Sequence, residues 1–240
     1  MQPILPDPKK YCIVFDLGKT VFDKPYKFPF TFNVLYQFPA LVNPFTIIKV
    51  WRAINKSKEE AKKSNRTGAN TSWDQIFATT YARPLLKCSE EQFNQKVSLI
   101  IQNTANPYPG MLEFIMKLYK NGYPLAVLSN SDHLTAQVIL KSNFFKNYFQ
   151  EVCLSSETGV KKPDPEAFIN LLNKVHRTAQ ECIFFDDNKK NIEAAQELGF
   201  KAYLIKNPSQ IYTTLEQLGV VLSNQNPTTD NPLVLTESYV

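Results

Sequence analysis

Apolar and polar positions alternate along this chain in two different rhythms. Residues 11–15 (Tyr-Cys-Ile-Val-Phe) are apolar at every position and stop at Asp16. That pattern predicts a short strand buried on both faces, as in a parallel sheet. The signal then lapses. Residues 24–45 are rich in Pro and aromatics, and Ser57-x-x-Glu60, Ser72-x-x-Gln75 and Ser89-x-x-Gln92 follow. These three are capping-box patterns, each predicting a helix start. No clear strand alternation interrupts the stretch up to about residue 103, which predicts an all-helical insertion.

From Pro109 the rhythm becomes α/β. Helices are predicted at 110–120, 133–142, 166–176, 189–198 and 208–217, with strands at 124–128, 151–154, 182–185 and 201–205. A loop is expected at 155–165. Strands alternating with helices predict an α/β fold, a Rossmann-like parallel sheet with helices on both faces. The expected division is a core of residues 1–22 and 106–221, a helical cap at 23–105, and a polar, flexible C-terminal tail at 222–240.

Composition narrows the function classes. A chain of 240 residues that is 43% hydrophobic can bury a core. No apolar run approaches the roughly 18 residues of a membrane span, and the first ten residues lack the apolar centre of a secretory signal. The four cysteines show no metal-ligand spacing, which predicts reduced thiols and a cytoplasmic location. A net charge of +5 suits a small anionic substrate, and no compact basic block points to nucleic acid. The lysine-rich run at 56–63 reads as a solvated helix face, and the polar loop at 62–70 as mobile. A monomer or a homodimer fits equally.

Four features then fall at strand ends or loops: Asp16, Ser129-Asn130, Lys162 and Asp186-Asp187. Each alone has an ordinary explanation as a turn or a helix cap. Three of them directly follow predicted buried strands, at what would be one edge of one parallel sheet. Several carboxylates at one edge repel each other, and a hard divalent cation such as Mg²⁺ relieves that repulsion. The set suits phosphoryl transfer: Asp16 as a free carboxylate nucleophile, Ser129 and Asn130 as donors to phosphate oxygens, and Lys162 as a point charge.

The chain resembles the haloacid dehalogenase-like superfamily of aspartate-nucleophile phosphatases. The four motifs of that family occur in order: Phe15-Asp16-Leu17-Gly18-Lys19-Thr20-Val21, Val127-Leu128-Ser129-Asn130, Gly159-Val160-Lys161-Lys162-Pro163-Asp164-Pro165 and Phe184-Phe185-Asp186-Asp187-Asn188. The resemblance implies a Mg²⁺-dependent hydrolase of a small phosphorylated metabolite, a sugar phosphate being one option. Asp16 would be the nucleophile. Mg²⁺ would be held by Asp16, the Gly18 carbonyl, Asp187 and Asp186, and the helical insertion would close over the site. One position departs from the family pattern. The family usually carries a second Asp two residues after the nucleophile, as general acid and base. Here that position is Gly18, with His133, Lys19 or a cap residue as candidate stand-ins. Two further readings stay open: a degenerate module that binds a phospho-ligand without turnover, and a halide-releasing hydrolase of the same fold.

Overall fold

The computed structural model describes residues 10–23, 32–66 and 71–220. The expected C-terminal tail and residues 67–70 of the expected loop at 62–70 lie outside the described residues, while 62–66 are not loop but the last turns of helix Pro44–Arg66. The described residues form one five-stranded sheet of parallel strands: β1 (Cys12–Phe15), β2 (Leu125–Ser129), β3 (Glu151–Leu154), β4 (Cys182–Asp186) and β5 (Lys201–Leu204), ordered β3-β2-β1-β4-β5. β1 is central, in register with β2 on one side and β4 on the other, with Phe15 opposite Val127 and Phe185.

Both faces of the sheet are covered, and the continuous apolar runs follow from that. Successive side chains of a strand point to opposite faces. Ile13 and Phe15, with Val127 and Phe185, pack on the side of helices Met111–Lys120, Asn143–Tyr148 and Ser209–Gln217. Cys12 and Val14, with Leu128 and Phe184, pack on the side of helices Pro165–Val175 and Lys189–Glu197. All four residues of β1 are fully buried. Each large apolar side chain so buried contributes about 1.5–3 kcal/mol.

Between β1 and β2 the chain forms helices Phe32–Gln37, Pro44–Arg66, Trp73–Thr80, Ala82–Leu86 and Glu90–Thr104. They share their own core, built on Phe38, Leu41, Phe77, Phe93 and Ile100. Two expected helix starts occur as read. Ser72 precedes its helix and its backbone N–H donates to Gln75 Oε1 at 2.9 Å. Ser89 Oγ accepts from the Gln92 backbone at 3.1 Å, and Gln92 Oε1 returns the contact to the Ser89 N–H at 2.9 Å. Ser57 starts no helix. It lies inside helix Pro44–Arg66, buried, with its hydroxyl donating to the Ala53 carbonyl at 3.0 Å. The four-residue reach back along the helix satisfies the hydroxyl without a helix end. The expected loop at 155–165 also contains a short helix, Ser155–Thr158.

Candidate active site

The strand order reverses at β1, since β2 and β3 lie to one side and β4 and β5 to the other. Crevices at the carboxyl ends of strands next to such a reversal are where open α/β sheets bind ligands. Asp16 follows β1, Ser129 ends β2 and Asp186 ends β4, so neighbouring strands deliver all three to that edge. The Asp16 N–H donates to the Phe185 carbonyl at 2.9 Å, which pins the nucleophile candidate to the adjacent strand.

Lys162 joins these groups. Its Nζ donates to Asp16 Oδ1 at 2.7 Å and to Asp186 Oδ2 at 2.6 Å, with its side chain 1% exposed. The loop that carries it is clamped by Asn130, whose Oδ1 accepts from the Lys162 N–H and whose Nδ2 donates to the Lys162 carbonyl, both at 2.9 Å. Ser129 Oγ donates to Asp16 Oδ1 at 3.1 Å. Ser129 and Asn130, expected as phosphate donors, are thus placed beside Asp16 and Lys162. Burial pushes the Asp16 carboxyl above the usual carboxylate range, Lys162 opposes that, and Asp186 adds to it.

Carboxylate oxygens of Asp16, Asp186 and Asp187 all lie within 4.8 Å of one another. An all-oxygen, anionic donor set of this kind suits a hard divalent cation, so these residues fit Mg²⁺. Asp187 is the most open of the three and pairs with Lys19 at 3.2 Å. Asp186 is the most constrained: its Oδ1 accepts from the Asn188 N–H at 2.7 Å and its Oδ2 from Asn191 Nδ2 at 2.9 Å. Gly18 lies in the tight turn after Asp16, where the Val21 and Phe22 N–H groups both donate to the Leu17 carbonyl. A Cβ built on Gly18 would meet nothing within 4 Å.

Two contributors escaped the sequence reading. Asn191 sits in the first turns of helix Lys189–Glu197, buried against Asp186, and its only signal was a polar residue on an otherwise apolar helix face. Asp74, in the helical insertion, accepts from the Leu134 N–H at 2.7 Å and the His133 N–H at 3.4 Å. It thereby joins Asp132 in capping helix His133–Lys141. Nothing near Asp74 in the sequence marks a partner 60 residues away. Burial, followed by the Asp74 charge, raises the Asp132 pKa. His133 opens that helix, with its Nε2 at 2.9 Å from Gln137 Nε2.

A family model for haloacid dehalogenase-like hydrolases matches residues 42–205, more than half of the chain. The chain belongs to this family. The matched range of this hydrolase begins beyond Asp16 and Gly18 and takes in Ser129, Asn130, Lys162, Asp186 and Asp187. Relatives of the hydrolase include a phosphatase of Mycobacterium tuberculosis, 27% identical over 63% of this chain and 71% of the relative. A phosphoglycolate phosphatase of Aliivibrio fischeri is 30% identical over 41% of this chain. A pyrophosphatase of Listeria monocytogenes is 31% identical over 43% of this chain. The hydrolase spans only 43% and 50% of those two relatives' lengths. Among solved structures, a haloacid dehalogenase family enzyme of Bacteroides thetaiotaomicron, crystallised with magnesium and inorganic phosphate, superposes with a TM-score of 0.53 at 19% identity, over 84% of this chain and 98% of that one. An L-2-haloacid dehalogenase superposes at 0.56 with 21% identity, over 81% and 84%. At these identities the structural likeness shows the fold.

Proposed function

We propose that this hydrolase is a Mg²⁺-dependent phosphatase that cleaves a small phosphomonoester through an aspartyl phosphate on Asp16. The observation that carries the reading is Lys162 bridging Asp16 and Asp186 at one sheet edge, with Asp187 beside them. Phosphatases among the relatives and a family neighbour bound to magnesium and phosphate support it.

In this reading Asp16, Asp186, Asp187 and the Gly18 carbonyl hold Mg²⁺. The ion supplies neutralisation of phosphate charge and a fixed oxygen position. One oxygen of Asp16 attacks phosphorus in line, forming the acyl phosphate bond as the ester P–O bond breaks and its electron pair leaves with the alcohol oxygen. Lys162 opposes the effect of burial on the Asp16 carboxyl and offers its charge to the phosphoryl oxygens. Ser129 and Asn130 donate to those oxygens. Water then attacks the phosphorus of the acyl phosphate, releasing phosphate and restoring Asp16. The helices at 23–105 act as a cap over a core of 1–22 and 106–221, shielding the acyl phosphate from stray water.

A phosphate-ester panel with Mg²⁺ tests this reading. Phosphate release that disappears in Asp16→Asn and on chelation supports it, and a folded wild type with no turnover overturns it. Gly18 favours one second reading, a module that takes up phosphate and turns over negligibly, because no side chain stands there to act as acid or base. Under that reading a single burst of alcohol release occurs without steady-state hydrolysis.

A further inference from the structure

A cavity of about 160 Å³ is lined by the turn after Asp16, the end of β2 and the last helix of the insertion. That is the liquid volume of about five waters at ~30 Å³ each, enough for a six-membered ring. Gly18, Ser129 and Asn130 line one end, and Ser129 bonds directly to Asp16. The walls are mostly apolar, with Phe22 from the first loop, Ile101 from the insertion, and Val138, Ile139 and Phe145 from the core, and Gln102, Thr135 and Ser142 are the polar side chains set among them. Among the described residues, Asp23 is the only ionisable side chain that lines it. Gly18, two residues after Asp16, lines the cavity, and a Cβ added there would meet nothing within 4 Å. A wider cleft of about 560 Å³ shares Asn130 and Ser131 with this cavity and is lined by Lys58, Lys62 and Lys161. Neither Leu17 nor Gly18 lines that cleft, so it does not open on the turn that follows Asp16.

We propose that the apolar cavity receives the leaving group, so that the substrate is a phosphomonoester of an apolar, ring-sized alcohol with no second anionic group. The proposal rests on the phosphatase reading and narrows it. Most hydroxyls of a sugar would lose water here against Ile101, Val138, Ile139 and Phe145, with Gln102, Thr135 and Ser142 as the few polar side chains to meet them, and an unmet hydroxyl is costly. A second carboxylate, as in phosphoglycolate, would lose water against the same apolar walls. A benzyl or phenyl group loses nothing and removes its own surface from water.

Binding and turnover test this separately. In calorimetry with Mg²⁺ present, benzylphosphonate is expected to bind about 10- to 100-fold tighter than methylphosphonate, the range for burying one aromatic side chain. Ile139→Asn is expected to bring that ratio close to one, and Ile139→Val to retain most of it. Equal affinities of the two phosphonates for the wild type overturn the proposal. In turnover, benzyl phosphate is expected to exceed glucose 6-phosphate in kcat/KM by a similar factor; both leave as primary alcohols, so leaving-group acidity does not decide the comparison. Acetyl phosphate hydrolysis without a benzyl preference refutes the cavity assignment and leaves the phosphatase reading standing. A benzylphosphonate preference with no hydrolysis of any ester refutes the phosphatase reading instead, and the cavity then stands as an apolar binding site.

Discussion

Replacing Lys162 with Met removes the ammonium that bridges two buried carboxylates while keeping most of the side-chain volume. In the wild type the Lys162 Nζ lies 2.7 Å from Asp16 Oδ1 and 2.6 Å from Asp186 Oδ2, and without it the two buried carboxyls face each other with no cation between them. Asp186 keeps the Asn188 N–H and Asn191 Nδ2 as donors. Asp16 keeps Ser129 Oγ as its remaining side-chain donor among the described residues. Breaking a buried pair by removing one partner costs about 3–5 kcal/mol. For a chain of this length each kcal/mol moves Tm by roughly 2–4 °C, so a loss of about 6–20 °C is expected at pH 7.5. The sign with pH follows from the Asp16 carboxyl, already raised by burial and raised further once Lys162 is gone. An acid whose folded pKa lies above its unfolded value binds more protons when folded, so its contribution is full below the unfolded pKa and is lost as pH rises through the folded one. The Tm gap between Lys162→Met and wild type is therefore expected to narrow at pH 5, and also on adding Mg²⁺. Differential scanning fluorimetry at both pH values reads this. A variant melting within about 2 °C of wild type at pH 7.5 would refute the bridging role, since one kcal/mol alone accounts for that much.

Gly18→Asp adds a carboxylate into open space, at a position without left-handed backbone strain. General acid–base help is worth about 10²–10⁴-fold, so kcat on alkyl phosphates is expected to rise by at least tenfold, with a smaller gain on aryl phosphates. A folded Gly18→Asp with unchanged alkyl phosphate turnover contradicts that. Mg²⁺ is expected to raise the wild-type Tm, by about 2.7 kcal/mol of stabilisation at a hundred times Kd, and Asp187→Asn to lose most of the shift. An equal shift in both proteins removes Asp187 from the metal site. Asp74→Asn is expected to lower the Asp132 pKa, because it removes the neighbouring charge and keeps an acceptor for the Leu134 N–H. Carboxyl NMR titration reads that change, and an unmoved Asp132 would show the two carboxylates to be uncoupled.

The core of the fold was legible because a two-faced parallel strand writes a continuous apolar run, and β1, β2 and β4 are such runs ending in or beside polar residues. The site residues were legible for the same reason: Asp16, Ser129 and Asp186 interrupt those runs at the strand ends. Lys162 was the least marked of the four features, since a Lys-Pro loop carries no strand signal of its own, and the family resemblance strengthened it. Ser57 misled because a capping-box pattern is also compatible with a helix interior, where the hydroxyl bonds one turn back. Asp74 and the apolar cavity were not legible at all. Both depend on how the helical insertion meets helix His133–Lys141, a contact between residues far apart in sequence.

The most direct measurement is acid quench of the Mg²⁺-loaded protein during turnover, followed by borohydride reduction and peptide mass spectrometry. Label is expected on the peptide carrying Asp16, converted to homoserine, and absent after chelation or in Asp16→Asn. Steady phosphate release with Asp16 unmodified, or undiminished in Asp16→Asn, would contradict attack by that carboxylate.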